Sequence, residues 1–359
     1  MSILGNYVKI KTGKLDANAA STDGNYPFFT CAITPLKIDS YSYDCECTLI
    51  AGNGDLNVKY YNGKFDAYQR TYIVESKDKT VLSVPYLYRF LEKYVETLRT
   101  QAIGGVIKYI KLGNITNAQI AIKPLTEQNR IVDILDKVDE LLNNLEQQGL
   151  CLDTLVKSRF IEMFGEYMDT KHQKKLKEVC DFIDYRGKTP EKAESGIPLI
   201  TAKNVRENHF SEEPREYIPA ENYEAVMTRG IPKVNDVLFT TEAPLGNVCR
   251  IPNTYDKFCV GQRIVTIQPH DDKLISEYLE RVLLSNDFQN KVWRQATGST
   301  VKGIRSKRLI ELTIPVPPLD LQKQFADFVA FTDKSKLAVQ QSIETLQTLK
   351  AKLMQDYFG

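Results

Sequence analysis

The sequence is poor in the residues that secreted miniproteins and metalloenzymes depend on. Its 359 residues include one Trp, three His and seven Cys. An odd number of cysteines with no CxxC pair indicates reduced thiols rather than a disulfide framework. His172, His209 and His270 are scattered and Cys45-Glu46-Cys47 is the one close cysteine pair. That leaves no donor set for zinc or another metal. No apolar run approaches the ~18 uncharged residues of a membrane helix. The opening stretch MSILGNYVKIKTGK is too short and too polar for a signal peptide. The expectation is a cytoplasmic protein with no membrane contact. Catalytic signatures are missing as well: no GxxxxGK[ST] loop, no HExxH, and no Asp-Pro-Pro-Tyr or Asn-Pro-Pro-Tyr tetrad for methylating a flipped base. AGNGD at Ala51 lacks the strand-to-helix pattern of a nucleotide-binding turn. Even an excess of charge is absent, with 47 Lys+Arg against 46 Asp+Glu.

What the sequence does contain is a repeat. Its 42% hydrophobic residues exclude wholesale disorder, and its length favours two or three domains. Shifted by about 194 residues, the segment from Lys108 to Gly165 lies without a gap over that from Lys302 to Gly359, with about 14 of about 58 positions identical. Unrelated sequences would share roughly three or four. The pairs include Pro124/Pro318, Gln128/Gln322, Asp133/Asp327, Leu152/Leu346 and Phe164-Gly165/Phe358-Gly359. Upstream the matches weaken and the offset drifts: Gln69-Arg70 lies over Gln262-Arg263, YPFFT at Tyr26 over IPLIT at Ile197, and Gly13-Lys14 over Gly187-Lys188. Most of the roughly twenty extra residues of the second copy fall between Ala202 and Asp236.

Each repeated segment opens with a proline-bearing, strand-like stretch, IAIKPL or LTIPVPPL. A long helix follows, with Thr126 and nearby Asn129 as capping groups for the first. Ile131, Leu135, Val138, Leu142, Leu145, Gly149, Leu152 and Val156 alternate spacings of four and three, the seam of a coiled coil. Phe325, Val329, Thr332, Val339, Ile343, Leu346 and Leu353 repeat the pattern less regularly, because Lys336 and Lys350 occupy two seam positions. At 1.5 Å per residue a helix of about 40 residues is about 60 Å long. A stripe of that length needs a partner helix, and the other copy supplies one. Gly149 admits a bend or a close helix approach.

Charge is segregated along the chain. Residues 127–146 carry Glu127, Asp133, Asp136, Asp139, Glu140 and Glu146 against Arg130 and Lys137, whereas residues 291–308 carry Lys291, Arg294, Lys302, Arg305, Lys307 and Arg308 and no acid. A basic turn containing Gly, Ser and Thr offers the donors that phosphate oxygens accept.

The segments PLTEQNRIVDILDKVDELL and PPLDLQKQFADFV, with the domain starts at Leu4 and Leu176 and the ATGSTVKGI turn at Ala296, resemble the specificity subunits of type I restriction-modification systems over essentially the whole chain. The resemblance implies an α+β fold: two target recognition domains of mixed α/β structure (1–124 and 169–317), each followed by a conserved spacer helix (125–168 and 318–359). The helices would pack as an antiparallel coiled coil with pseudo-twofold symmetry. It implies a non-catalytic subunit whose two domains each read half of a bipartite site in double-stranded DNA. The coiled coil sets the gap and docks two methyltransferase subunits, and restriction-translocase subunits join through that complex. The chain itself would hold no cofactor; S-adenosylmethionine and ATP would belong to the partners. Two other readings are a subunit of a fused, type IIB-like restriction-methyltransferase and a coiled-coil scaffold without a DNA role. The first recognition domain departs from the pattern: its turn, QAIGGVIKYIK, is less basic, with Gly104-Gly105 for Gly298-Ser299.

Side-chain chemistry nominates the DNA contacts, since Arg and Lys match guanine and Asn and Gln match adenine. In the first domain these are Lys14, Asn53, Lys59, Tyr60 and Lys64, the last four in a hairpin-like AGNGDLNVKYYNGK stretch, with Lys108 beside the Gly-rich turn. In the second they are Arg186 and Lys188, then Lys203, Asn204 and Arg206 of TAKNVREN, the TTEAPLGN turn, and Ser299, Thr300, Lys302 and Arg305. Lys108 and Lys302 match across the copies and are assigned to phosphates.

Overall fold

A computed structural model describes residues 1–168, 170–185 and 190–359. They form two units, Met1–Gln147 with Val339–Gly359, and Gln148–Ala338. The division falls inside both long helices, Leu125–Phe164 and Leu319–Phe358.

Unit 1 is built on strands β1 (Val8–Thr12), β2 (Tyr26–Phe29), β3 (Leu36–Ile38), β4 (Tyr43–Ala51), β5 (Val58–Ala67) and β6 (Thr71–Ser76), in sheet order β1-β6-β4-β5-β2-β3. Helix α1 (Val84–Gln101) starts where the Ser83 hydroxyl accepts the Tyr86 amide. Its Tyr86, Leu87, Phe90, Leu91, Val95 and Leu98 recur every three or four residues and are buried. They join one core with Ile131, Val132 and Leu135 of the first long helix and Met354 of the second.

Unit 2 repeats the scheme. Strands β7 (Cys180–Asp184), β8 (Val237–Thr241), β9 (Leu245–Arg250) and β10 (Ile264–Pro269) form a sheet in the order β7-β10-β8-β9, the counterpart of β1-β6-β4-β5. Parallel pairing is repeated too: Phe28 and Phe29 lie opposite Asp66 and Ala67, and Leu199 and Ile200 opposite Cys259 and Val260. The counterpart of α1 is broken at Ser285 into α2 (Ser276–Leu284) and α3 (Asn286–Gln295). The extra residues of the second copy form two short antiparallel pairs, Val205–Arg206 with His209–Phe210 and Tyr217–Ile218 with Ile197–Pro198.

In each unit the two helical segments run antiparallel. In unit 2, Phe325 meets both Phe160 and Phe164, with ring centroids 5.6 and 5.4 Å apart, and Lys336 further along pairs with the earlier Asp153. In unit 1, Lys350 lies 2.8 Å from Asp139 and 3.1 Å from Glu92. The seam lysines that interrupt the heptads are thus met by carboxylates. Burial would raise the Asp139 carboxyl, but hydrogen bonds from Lys350 and Arg89 outweigh it and hold its pKa below the ordinary value. Ile131, Leu135, Val138, Phe325 and Val329 are buried, and Leu142, Leu145, Leu152, Val339, Ile343, Leu346 and Leu353 are half-buried. The first long helix begins at Leu125, so Thr126 lies inside its first turn and the Pro124 carbonyl accepts the amides of Glu127 and Gln128.

A matched glutamine in each unit joins its sheet-bearing part to its long helix. Gln128, wholly buried, accepts the Ser83 amide at 2.9 Å and donates to the carbonyls of Val81 and Lys123. Gln322, equally buried, accepts the Ile275 amide at 2.9 Å and donates to those of Lys273 and Pro317. Tyr86 and Tyr278 add a second matched bond, to the carbonyls of Ala121 and Pro315.

A Cβ at Gly149 would meet nothing within 4 Å, so no close approach accounts for this glycine. Gly149→Ala is therefore expected to stabilise the protein by about 1 kcal/mol through helix propensity and a less flexible unfolded chain. The check is a higher urea midpoint at unchanged m-value.

Candidate nucleic-acid interface

The two glycine turns have one backbone geometry. The amides and carbonyls of Ile103 and Tyr109 exchange hydrogen bonds of 3.0 and 2.9 Å, and those of Thr297 and Gly303 exchange bonds of 2.9 and 3.0 Å. Gly104 and Gly298 have φ of 122° and 113°. A Cβ would stand 2.5 Å from the Ile107 oxygen in one turn and 2.0 Å from the Val301 oxygen in the other. Only glycine fits, which explains why this residue matches while its neighbours diverge.

The turns project into solvent. Lys108, Ser299, Thr300, Lys302 and Arg305 are exposed, and among the described residues none of the three cations forms an ion pair. Each turn is tied to the end of a sheet strand. Ile110 donates to the Gly52 carbonyl just past β4, and Ile304 to that of Thr241 at the end of β8. Gly52 and Thr241 in turn donate to the carbonyls of Arg70 and Arg263. In unit 2 this arrangement encloses an open cleft of about 300 Å³ lined by Glu242, Gln262, Arg263, Val301 and Arg305 among others, with Arg263 Nε 3.3 Å from Glu242 Oε1.

The other nominated residues are spread more widely. Asn53, on the β4–β5 connection, bridges Tyr109 of the turn and accepts the Cys31 thiol at 2.8 Å. Lys59 pairs with the Asn57 side chain, and burial pushes its ammonium below the ordinary value. Tyr60 donates to Glu46 at 2.8 Å, and burial together with that bond pushes its phenol up to about 12. Lys64 lies 4.8 Å from the Tyr41 ring centroid, five residues beyond Lys59 on β5 and so about 17 Å along the strand. Lys14 is exposed beside Leu15, whose carbonyl accepts the Gln69 amide next to Arg70.

Asn204 has a structural role. Only 4% exposed, it accepts the amide and hydroxyl of Thr201 and donates to the carbonyls of Ser211 and Pro214, so its amide is engaged inside the loop and not offered to a base. Lys203 reaches Glu216 at 3.4 Å, whereas Arg206 is exposed on the two-residue hairpin at Asn208. Arg186 and Lys188 lie outside the described residues. Arg70 and Arg263 were not nominated by side-chain chemistry, although the repeat had aligned them.

The family described as the type I restriction modification DNA specificity domain matches residues 3–150 and 168–348. The chain belongs to this family. As a specificity subunit of a type I restriction-modification system it recognises DNA sequence. Among its relatives is the type I restriction enzyme EcoDI specificity subunit of Escherichia coli, 26% identical over 99% of this chain and 86% of that protein. Another is the MjaVIII specificity subunit of Methanocaldococcus jannaschii, 23% identical over 98% and 90%. The specificity-subunit fold is shared with the crystal structure of the type I S subunit from M. genitalium, at a TM-score of 0.63 and 16% identity over 100% of this chain and 95% of that one. A chain from a structural study of type I system assembly and conformational transition aligns at a TM-score of 0.54 and 17% identity, over 99% and 96%. Among the described residues no helix of this specificity subunit is long and apolar enough to cross a membrane.

Proposed function

We propose that this specificity subunit reads a bipartite DNA site, residues 1–124 one half and residues 169–317 the other, within a methyltransferase complex in the cytoplasm. Chemistry and cofactors come from the partners. The observation that carries this reading is the basic glycine turn built twice, on one sheet scaffold, from segments whose other loops differ. A shared turn suits the part of DNA that does not vary, its phosphates, and differing loops suit two different half-sites. The helices of 125–168 and 318–359 fix the gap between the half-sites and dock two methyltransferase subunits, through which restriction subunits join. Large apolar side chains off the seam support the docking, among them Ile161 at 68% and Phe331 at 72% exposure.

The test is co-expression with the methyltransferase subunit and mapping of methylated adenines across a genome. A motif of two short elements separated by a fixed gap is the expected result. A continuous motif, or no methylation, would count against two reading heads.

A further inference from the structure

The hydrogen-bond register equates positions that the sequence repeat does not align. Gly52 corresponds to Thr241, each donating to an arginine carbonyl and accepting from a buried isoleucine of the turn. The next residue in each copy, Asn53 or Glu242, forms an antiparallel bridge to the residue that closes the turn, Tyr109 or Gly303. Both side chains are half-exposed beside the exposed cations of that turn. The flanking arginines, Arg70 and Arg263, are the same in both copies. Asn53 and Glu242 are not.

In two heads that read different half-sites, an unchanged residue on a shared backbone does sequence-independent work, and a changed one marks where the readouts diverge. Resting on the function proposed above, we propose that Asn53 and Glu242 occupy one and the same base-reading position: Asn53 pairs with an adenine, and Glu242 accepts the amino group of a cytosine. Asn53 Oδ1 accepts the Cys31 thiol and keeps its second lone pair, and its Nδ2 has no partner among the described residues. Unlike Asn204 it still offers the donor and acceptor that suit the adenine edge, while a carboxylate only accepts, which suits cytosine N4. The electrostatics agree. A carboxylate among phosphates is repelled, and Arg263 stands 3.3 Å from Glu242 to offset that charge. Neutral Asn53 needs no cation, its side-chain contact being the Cys31 thiol, and Arg70 forms no ion pair among the described residues.

Methylated motifs of the co-expressed complex distinguish the outcomes. Glu242→Asn, and the isosteric Glu242→Gln as a guard against misfolding, are expected to relax or change one cytosine position in one half-site, with selectivity there falling roughly 5- to 150-fold. Asn53→Ala is expected to relax one adenine position in the other half-site. Unchanged motifs, with methylation either full or uniformly reduced, overturn the inference, as do Glu242 and Asn53 variants that alter the same half-site. A wild-type complex with no bipartite motif would instead remove the functional reading on which the inference rests.

Discussion

Replacing Gln128 by Ala is expected to destabilise unit 1 by about 3–5 kcal/mol, a large share of the roughly 5–15 kcal/mol that holds a typical domain. The side chain is wholly buried and satisfies three backbone groups, the Ser83 amide and the Val81 and Lys123 carbonyls. An Ala side chain reaches none of them, and each buried group left unpaired costs about 1–3 kcal/mol. Gln322→Ala is expected to do the same in unit 2, where the stranded amide is that of Ile275. Hydrogen exchange separates the two. The first variant should accelerate exchange at Ser83 and the second at Ile275, each with little change in the other unit. A loss below about 1 kcal/mol would mean that water replaces the amide, and the glutamines would then be fillers rather than ties.

The second large effect is on binding. Lys302→Glu with Arg305→Glu is expected to lower the affinity of the assembled complex for duplex DNA about 50- to 100-fold near 0.1 M salt, since each lost phosphate contact removes close to one unit of salt slope. Target and non-target duplexes should lose affinity together, and the slope of log K against log salt should flatten by about two. Lys108→Glu, in the less basic first turn, should cost about tenfold. Loss confined to one target sequence would make these side chains base readers and overturn the phosphate assignment. Titration of the complex with matched and scrambled duplexes at several salt concentrations decides between the two.

These contrasts show where the sequence was readable. Periodicity is a local property, so two long helices whose stripes each need a partner were legible from spacing, whereas the antiparallel direction of their pairing is not a property of spacing and rested on the family resemblance. The matched glycines were legible because backbone sterics at positive φ tolerate little else. Lys336 and Lys350 looked like defects in the seam; their partners Asp153 and Asp139 lie on the other helix, some two hundred residues away in sequence. Asn204 has the chemistry of an adenine reader, and only the folded loop shows that its amide is already engaged. The equivalence of Asn53 with Glu242 was hidden for a related reason. It rests on long-range backbone hydrogen bonds, and loops of unequal length displace it from the sequence alignment.

The composition of the two units also reverses the usual order of maturation. Unit 2 draws on one uninterrupted stretch, residues 148–338, whereas unit 1 needs residues 339–359 to join its first 147. Domains normally fold as they leave the ribosome, the earliest made first. Here the head synthesised second has all its residues before the head synthesised first. Until residues 339–359 emerge, Ile131 and Leu135 lack the Met354 side of their core, and Asp139 and Glu92 lack Lys350. The nascent first head therefore waits, with apolar surface showing and Arg89 alone holding those two carboxylates, for residues 339–359.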